Sequence, residues 1–298
     1  MENLGLIIEP PKESDYVFGG DTFVVDDILQ KGGHGWGSYL PTVENQSGKK
    51  LSSQACVTYS CLNCHETYAK RKHCFTWNKS DRALAKMSGT TKKGNSLRTV
   101  AETLRKQGWL DEAEWTANLD LVDWNTYYAS IPSNLLSKAS EVLNTYQFSY
   151  EWGAVTKNGL ISALERSPLQ VTVNSGGKKD SKGYFIKDTN NYNHAIMLYE
   201  YKFGEYWDCF DSLRNTMGRY VWDYRFGSVM KHQSQKRVPV IPNKIYFKKG
   251  LTDMQKQSIT MLVDSGKPFS PTDAKNYAYA TGQSDWLQFV GKKGSEII

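Results

Sequence analysis

No stretch of this 298-residue chain approaches the ~18 consecutive apolar residues that a membrane-spanning helix needs, and the mean hydropathy is −0.57. A membrane partner is therefore not expected. Charge of one sign is not concentrated either. Lys and Arg number 37 against 31 Asp and Glu, a net of +6, and the basic residues fall as scattered pairs at Lys49-Lys50, Lys92-Lys93, Lys178-Lys179 and Lys248-Lys249. A nucleic-acid surface clusters its charge, so none is expected. The chain has no internal repeat and no low-complexity segment. Collagen-like, coiled-coil and disordered classes are excluded with the membrane class. Met1-Glu2-Asn3-Leu4 carries neither the basic n-region nor the apolar h-region of a secretory signal, so none is expected.

Aromatic residues are plentiful, with nine Trp and eighteen Tyr, enough for a large core or the lining of a groove. Cysteine is scarce and odd in number: 56, 61, 64, 74 and 209. In a chain with no secretory signal, reduced thiols are expected, serving catalysis, a metal or plain packing.

Residues 1–36 read as an N-terminal arm. Pro10-Pro11 stops any helix and Phe23-Val24-Val25 suits a short strand. Gly32-Gly33-His34-Gly35-Trp36-Gly37 reads as a flexible loop, because no strand leads in and no helix with a Lys follows. The three- and four-residue recurrence of Val57, Ser60, Cys61, Cys64 and Tyr68 predicts a helix over about 56–68 with one buried stripe. Ser96 as N-cap and Gly108 as C-terminal stop bracket a second helix over 97–106. Further helices are expected at 133–146 and 158–166. The texture then changes to strands at 169–173 (alternating, half-buried), 195–199 (wholly buried), 206–210 and within 219–230. Two short helices are expected at 253–264 and from Ser270-Pro271 onward. Helices first and strands afterwards give an α+β class. The expected domains are the arm 1–36, a helical half 37–150, a β-rich half 151–250 and a small helical extension 251–298.

Position selects among the cysteines and histidines. Cys56 stands at the start of its helix, where free N–H groups and the helix dipole favour an anion. His194 immediately precedes a buried strand, and Asp211-Ser212 ends the next one, so a hairpin brings Asp211 beside His194. A carboxylate there accepts the imidazole N–H and fixes the ring. The nucleophile and base are 138 residues apart (194 − 56), within the ~130–150 of papain-type order.

At these residues the chain resembles the papain-like cysteine peptidases, over about 36–230. Leu40-Pro41-Thr42-Val43-Glu44-Asn45-Gln46 is similar to the segment ending in the oxyanion-hole Gln. Gln54-Ala55-Cys56-Val57-Thr58-Tyr59-Ser60 is similar to the nucleophile segment, with Val57 where the family usually has Trp. Ser80-Asp81-Arg82-Ala83-Leu84, Gly94-Asn95-Ser96-Leu97 and Lys106-Gln107-Gly108 resemble the stretch crossing the helical domain, and 163–169 resembles the passage into the β domain. Asn193-His194-Ala195 matches the base segment, and Phe210-Asp211-Ser212 stands where the family has Asn-Ser-Trp. The resemblance implies a two-domain fold, helical then antiparallel and barrel-like. It also implies a thiol peptidase in which Cys56, His194 and Asp211 are catalytic and Gln46 serves the oxyanion hole, acting on a peptide or protein substrate with no cofactor.

The chain departs from the family in several places. The insertion 47–53 makes Gln54 a rival to Gln46, although the Asn-Gln-Ser-Gly context favours Gln46. Leu213 replaces the shielding Trp, which would let water reach the His194–Asp211 bond. Neither the family's disulfides nor its long propeptide is expected here. Such departures resemble intracellular or phage-encoded branches, so a cytoplasmic or virion-associated place is expected. An inactive papain-fold scaffold and a peptidoglycan-peptide hydrolase are the alternative functions.

Other patterns compete for the same residues. Cys61-Leu62-Asn63-Cys64-His65 spells the c-type haem motif, but that attachment needs export. Cys61, Cys64, His73 and Cys74 offer four zinc donors at irregular spacing. The reading adopted is that Cys61 and Cys64 pack the core and bind no metal. Asp120, Asp123, Glu112 and Glu114 are read as solvated loop acids, and His34, His65, His73 and His232 as surface residues.

Overall fold

Polar caps set where the helices begin. The computed structural model describes residues 4–12, 15, 17–18, 35–186, 191–213 and 216–237. Within it, Ser80, Ser96, Asp123 and Thr156 each accept a hydrogen bond from a backbone N–H in the first turn of the helix that follows. Those helices are α2 (Asp81–Met87), α3 (Leu97–Gln107), α4 (Trp124–Tyr127) and α6 (Lys157–Leu164). Gly108 ends α3 at φ +76, in the half of backbone space that glycine enters without strain. Two helices start without a side-chain cap: α1 (Cys56–Lys72) and α5 (Ser133–Thr145).

Seven strands make one sheet: β1 (Val17–Phe18), β2 (Tyr146–Gly153), β3 (Leu169–Val173), β4 (His194–Lys202), β5 (Tyr206–Asp211), β6 (Thr216–Val221) and β7 (Val229–Lys236). They are ordered β1-β2-β7-β3-β4-β5-β6, and every pair is antiparallel except β1 with β2. Helices crowd the first part of the chain and strands the second, as the pattern predicts. Strand β2 is the exception. It was not expected, and it follows α5 with no turn residue between. The expected strand at 23–25, the expected helices beyond 251 and the extension itself lie outside the described residues.

Helix α1 carries more than one buried stripe. Every residue from Cys56 to Thr67 is buried, polar ones included. It runs through the middle of the molecule, with β3, β4 and β7 on one side and α2 and α3 on the other. Cys64 belongs to an apolar cluster with α6, β3, β4 and β5. Cys56, Val57, Cys61 and Leu62 belong to a second with α3, β2 and Met230 of β7. Strand β3, expected half-buried, is wholly buried. Its Gln170 reaches α1 and donates to the Val57 carbonyl at 2.7 Å and to Ser60 Oγ at 2.8 Å. Among the described residues no helix is long and apolar enough to cross a membrane.

Candidate active site

Three elements deliver the expected residues to one place. Cys56 opens α1, His194 opens β4 opposite Val173 of β3, and Asp211 ends β5. His194 Nε2 lies 2.7 Å from Asp211 Oδ1, which also accepts the Leu213 N–H at 2.9 Å. The carboxylate therefore fixes the proton on Nε2 and leaves Nδ1 as the open ring nitrogen. Nδ1 has no hydrogen-bond partner at normal length, and the Cys56 thiol is the group beside it. Burial works against the imidazolium. The bond to Asp211 and the neighbouring Cys56 thiol together outweigh it and raise the His194 pKa to about 9. The pair is not opened to water by Leu213, contrary to expectation: His194 is 0 % and Asp211 5 % exposed. Ser212, also buried, covers it from the side of Gln46.

The insertion 47–53 folds back on itself. Gly48 N–H meets the Leu51 carbonyl at 2.8 Å, and Ser53 donates through both its N–H and its hydroxyl to the Gln46 carbonyl, each at 2.9 Å. The extra length is thus absorbed in a tight loop, and the Gln46 N–H donates to the carbonyl of Ser212, the residue after Asp211, at 3.1 Å. Ser212 Oγ donates to Gln46 Oε1 at 3.0 Å, which aims the amide Nε2 away from Ser212. That Nε2 lies 3.4 Å from the Leu4 carbonyl. Gln54 is held at φ +55, its Nε2 pointed at Ser52 Oγ and its Oε1 buried without a partner.

Part of the N-terminal arm lies in the site, which the sequence did not reveal. The Leu4 N–H donates to the carbonyl of Asn193, next to His194, while the Leu4 carbonyl faces Gln46. Asn95 N–H donates to the Gly5 carbonyl at 3.0 Å, and Ile7 N–H to the Asn95 carbonyl at 2.8 Å. Leu6, 4 % exposed, packs in the cluster of Cys56, Val57 and Leu97. Gly5 (φ +109) sits so close to Gln54 that an added Cβ would fall 2.1 Å from the Gln54 oxygen. Further along, Asp15 pairs with Arg98 through both carboxylate oxygens at 2.6 Å. The Arg98 guanidinium holds the Asp15 carboxyl down at about 2. Cys56 and His194 are each 0 % exposed.

The remaining expectations divide. Cys61, Cys64 and Cys209 are buried, and Cys74 is exposed. Cys61, Cys64, His73 and Cys74 are not gathered: His73 goes to Ser234 on β7, and Cys64 lies in the other core cluster. His65 and His232, expected at the surface, are each 1 % exposed because α1 and β7 are both interior elements. His34 lies outside the described residues. Asp120 and Asp123 are exposed as expected, and Asp123 caps α4. Glu112 is partly buried, and burial raises its pKa to about 7.

No known protein family matches the sequence, and no curated protein resembles it closely enough to align. Solved structures do match. Digestive procathepsin L 3 of Tenebrio molitor larval midgut superposes with a TM-score of 0.56 at 15% identity, over 77% of this chain and 76% of that one. Xylellain, a cysteine protease from Xylella fastidiosa, gives 0.54 at 15% identity over 77% and 96%. A recombinant stem bromelain precursor gives 0.53 at 17% identity over 74% and 78%. At such identities the likeness concerns backbone architecture, and the fold of this chain is that of the papain-like cysteine proteases.

Proposed function

We propose that the chain is a thiol peptidase acting on peptide or isopeptide bonds through an acyl-enzyme. The observation that carries this reading is a buried imidazole bonded to Asp211 at 2.7 Å, with its other nitrogen open toward the thiol at the head of α1. In the proposed reaction the Cys56 thiolate attacks the substrate carbonyl carbon. Protonated His194 gives its Nδ1 proton to the leaving amine, and water then hydrolyses the thioester with His194 as base. Asp211 keeps the ring in plane and carries no proton itself. The Cys56 N–H and the Gln46 amide stabilise the oxyanion. The contact between Gln46 Nε2 and the Leu4 carbonyl supports that role, because it is a peptide carbonyl that the amide meets.

Leu4 is bonded to Gln46 and to Asn193 beside His194, and Cys56 and His194 are both buried, so we read the arrangement as closed, with substrate entering when segment 4–9 leaves. A silent scaffold would share the same closed geometry. The two readings part in one experiment. The chain is incubated with a denatured protein mixture, and new peptide N-termini are counted by mass spectrometry. The peptidase reading expects new termini that vanish in Cys56→Ala. Identical profiles from both proteins, with segment 4–9 undocked by substitution, would leave the scaffold.

A further inference from the structure

A second cluster of chemically capable side chains lies deeper in α1, apart from the Cys56 site. Cys61 and His65 are four residues apart, so both project from one face of the helix. Strand β7 sets His232 opposite them. One donor atom from each lies within 4.8 Å of the other two. Cys61 Sγ is 3.9 Å from His232 Nδ1, and the two imidazole rings are 5.1 Å apart. None of the three is more than 1 % exposed.

The surrounding bonds orient these donors. Gln170 uses its amide nitrogen on α1, at the Val57 carbonyl and Ser60 Oγ, so its Oε1 is what faces His232 Nε2 at 2.9 Å. An amide oxygen only accepts, which puts the proton on Nε2 and leaves a bare lone pair on Nδ1, directed at Cys61. A hydrogen-bonded second nitrogen is the arrangement that orients a metal-binding histidine. His65 Nδ1 is buried with no partner at all. Leaving such an atom unsatisfied costs about 1–3 kcal/mol. Both imidazoles are enclosed, and burial favours the neutral form, which is the form that ligates. No carboxylate and no lysine is among these donors.

We infer that Cys61, His65 and His232 form an internal site for one thiophilic d10 metal ion, Cu(I) or Zn(II). Donors bound to one ion at ~2.3 Å for sulfur and ~2.0 Å for nitrogen stand about 3.5–3.8 Å apart, so the cluster closes by roughly 1 Å. On binding, the Cys61 S–H bond breaks, an S–metal bond forms and the proton leaves to solvent. The product is neutral with Cu(I) and carries one positive charge with Zn(II). Burial favours the neutral one, and three donors suit the lower coordination number. The set shares only Cys61 with the four-residue zinc pattern set aside in the sequence, and it replaces the expectation that Cys61 binds no metal. Its structural effect is to tie the helix of Cys56 to the middle of the sheet.

The site is closed, so metal is supplied during folding. Full-length protein carrying Cys56→Ser and Cys74→Ser, which removes the catalytic and the exposed thiol, is refolded from denaturant with Zn(II) or, anaerobically, with Cu(I). After desalting against a weak chelator, metal per chain and the thermal midpoint are measured, and X-ray absorption reports the donors. One retained ion per chain with one sulfur and two nitrogens is expected, in at least one of the two arms. Retention should fall about tenfold or more when a donor is lost in Cys61→Ser or His232→Gln. His65→Phe preserves the edge-on packing of that ring against Trp109 and Phe148, so it tests the donor without emptying the core. Failure to retain either ion, or retention unchanged by His65→Phe and Cys61→Ser, would overturn the assignment.

Discussion

Replacing Leu6 with Ala should open the site. The Leu6 side chain is 4 % exposed, belongs to the apolar cluster that includes Cys56, Val57 and Leu97, and is the buried apolar anchor of segment 4–9. Truncating a buried Leu costs about 2–5 kcal/mol. A segment at the edge of the core relaxes more readily than a core helix, so about 2–3 kcal/mol is the part assigned to docking. At ~1.4 kcal/mol per factor of ten, the undocked population rises about 30- to 150-fold. The assay is the second-order rate at which an epoxide thiol-protease inhibitor labels Cys56, read by mass spectrometry. Undocking precedes labelling, so the rate should rise by the same factor while the inhibitor chemistry stays constant. Gly5→Ala provides an independent perturbation, since its Cβ would fall 2.1 Å from the Gln54 oxygen at a φ that disfavours side chains. It should accelerate labelling without removing any apolar surface. Ile8→Ala, at a residue 53 % exposed, is the control and should leave the rate unchanged. If Leu6→Ala and Gly5→Ala both label at the wild-type rate, segment 4–9 does not govern access.

The pH dependence follows from His194. Its folded pKa, about 9, stands above the ordinary 6.5, so the stabilisation is complete below 6.5 and is lost as pH rises through 9. Peptidase activity should show its alkaline limb near that value. Asp211→Ala removes the largest raising influence and leaves burial unopposed, so the limb should move down by more than about one unit. Asp211→Asn keeps the bond to Nε2 and should retain much more activity than Asp211→Ala. Equal loss in both variants would mean that the carboxylate charge itself is required. Gln46→Ala should lower the turnover number by about 10²–10³ with little change in KM, as loss of an oxyanion donor does. Gln54→Ala should leave turnover near wild type, and the reverse ranking would transfer the role to Gln54.

Local signals carried the fold a long way. Ser96 and Gly108 bracket α3, and the apolar run after His194 is the buried strand β4. The hairpin β4–β5 that joins His194 to Asp211 follows from two adjacent strands and a short turn. What escaped depends on the distant partners of a residue. His232 lies in a strand of polar appearance, yet β7 pairs between β2 and β3 in mid-sheet, and even its Lys231 is buried against Glu151. His65 lies within α1, where every residue from Cys56 to Thr67 is buried, so no polar stripe marks its exposure. The docking of Leu4 on Gln46 and Asn193 joins three remote segments and leaves no periodicity to read.

The central claim is that Cys56 and His194 act as one unit, and site-resolved alkylation tests it most directly. An ordinary thiol has a pKa near ~8.5 and is almost wholly protonated at about pH 6. In the Leu6→Ala protein, where segment 4–9 undocks more often, iodoacetamide labelling is followed against pH at each cysteine with and without His194→Ala. Cys56 is expected to react at about pH 5–6, ahead of Cys74, although Cys74 is the exposed thiol. His194→Ala should abolish most of that acid reactivity, because the helix dipole alone supplies under ~1 kcal/mol. Alkylation of Cys56 only above about pH 8, or a profile unchanged by His194→Ala, would contradict the peptidase account.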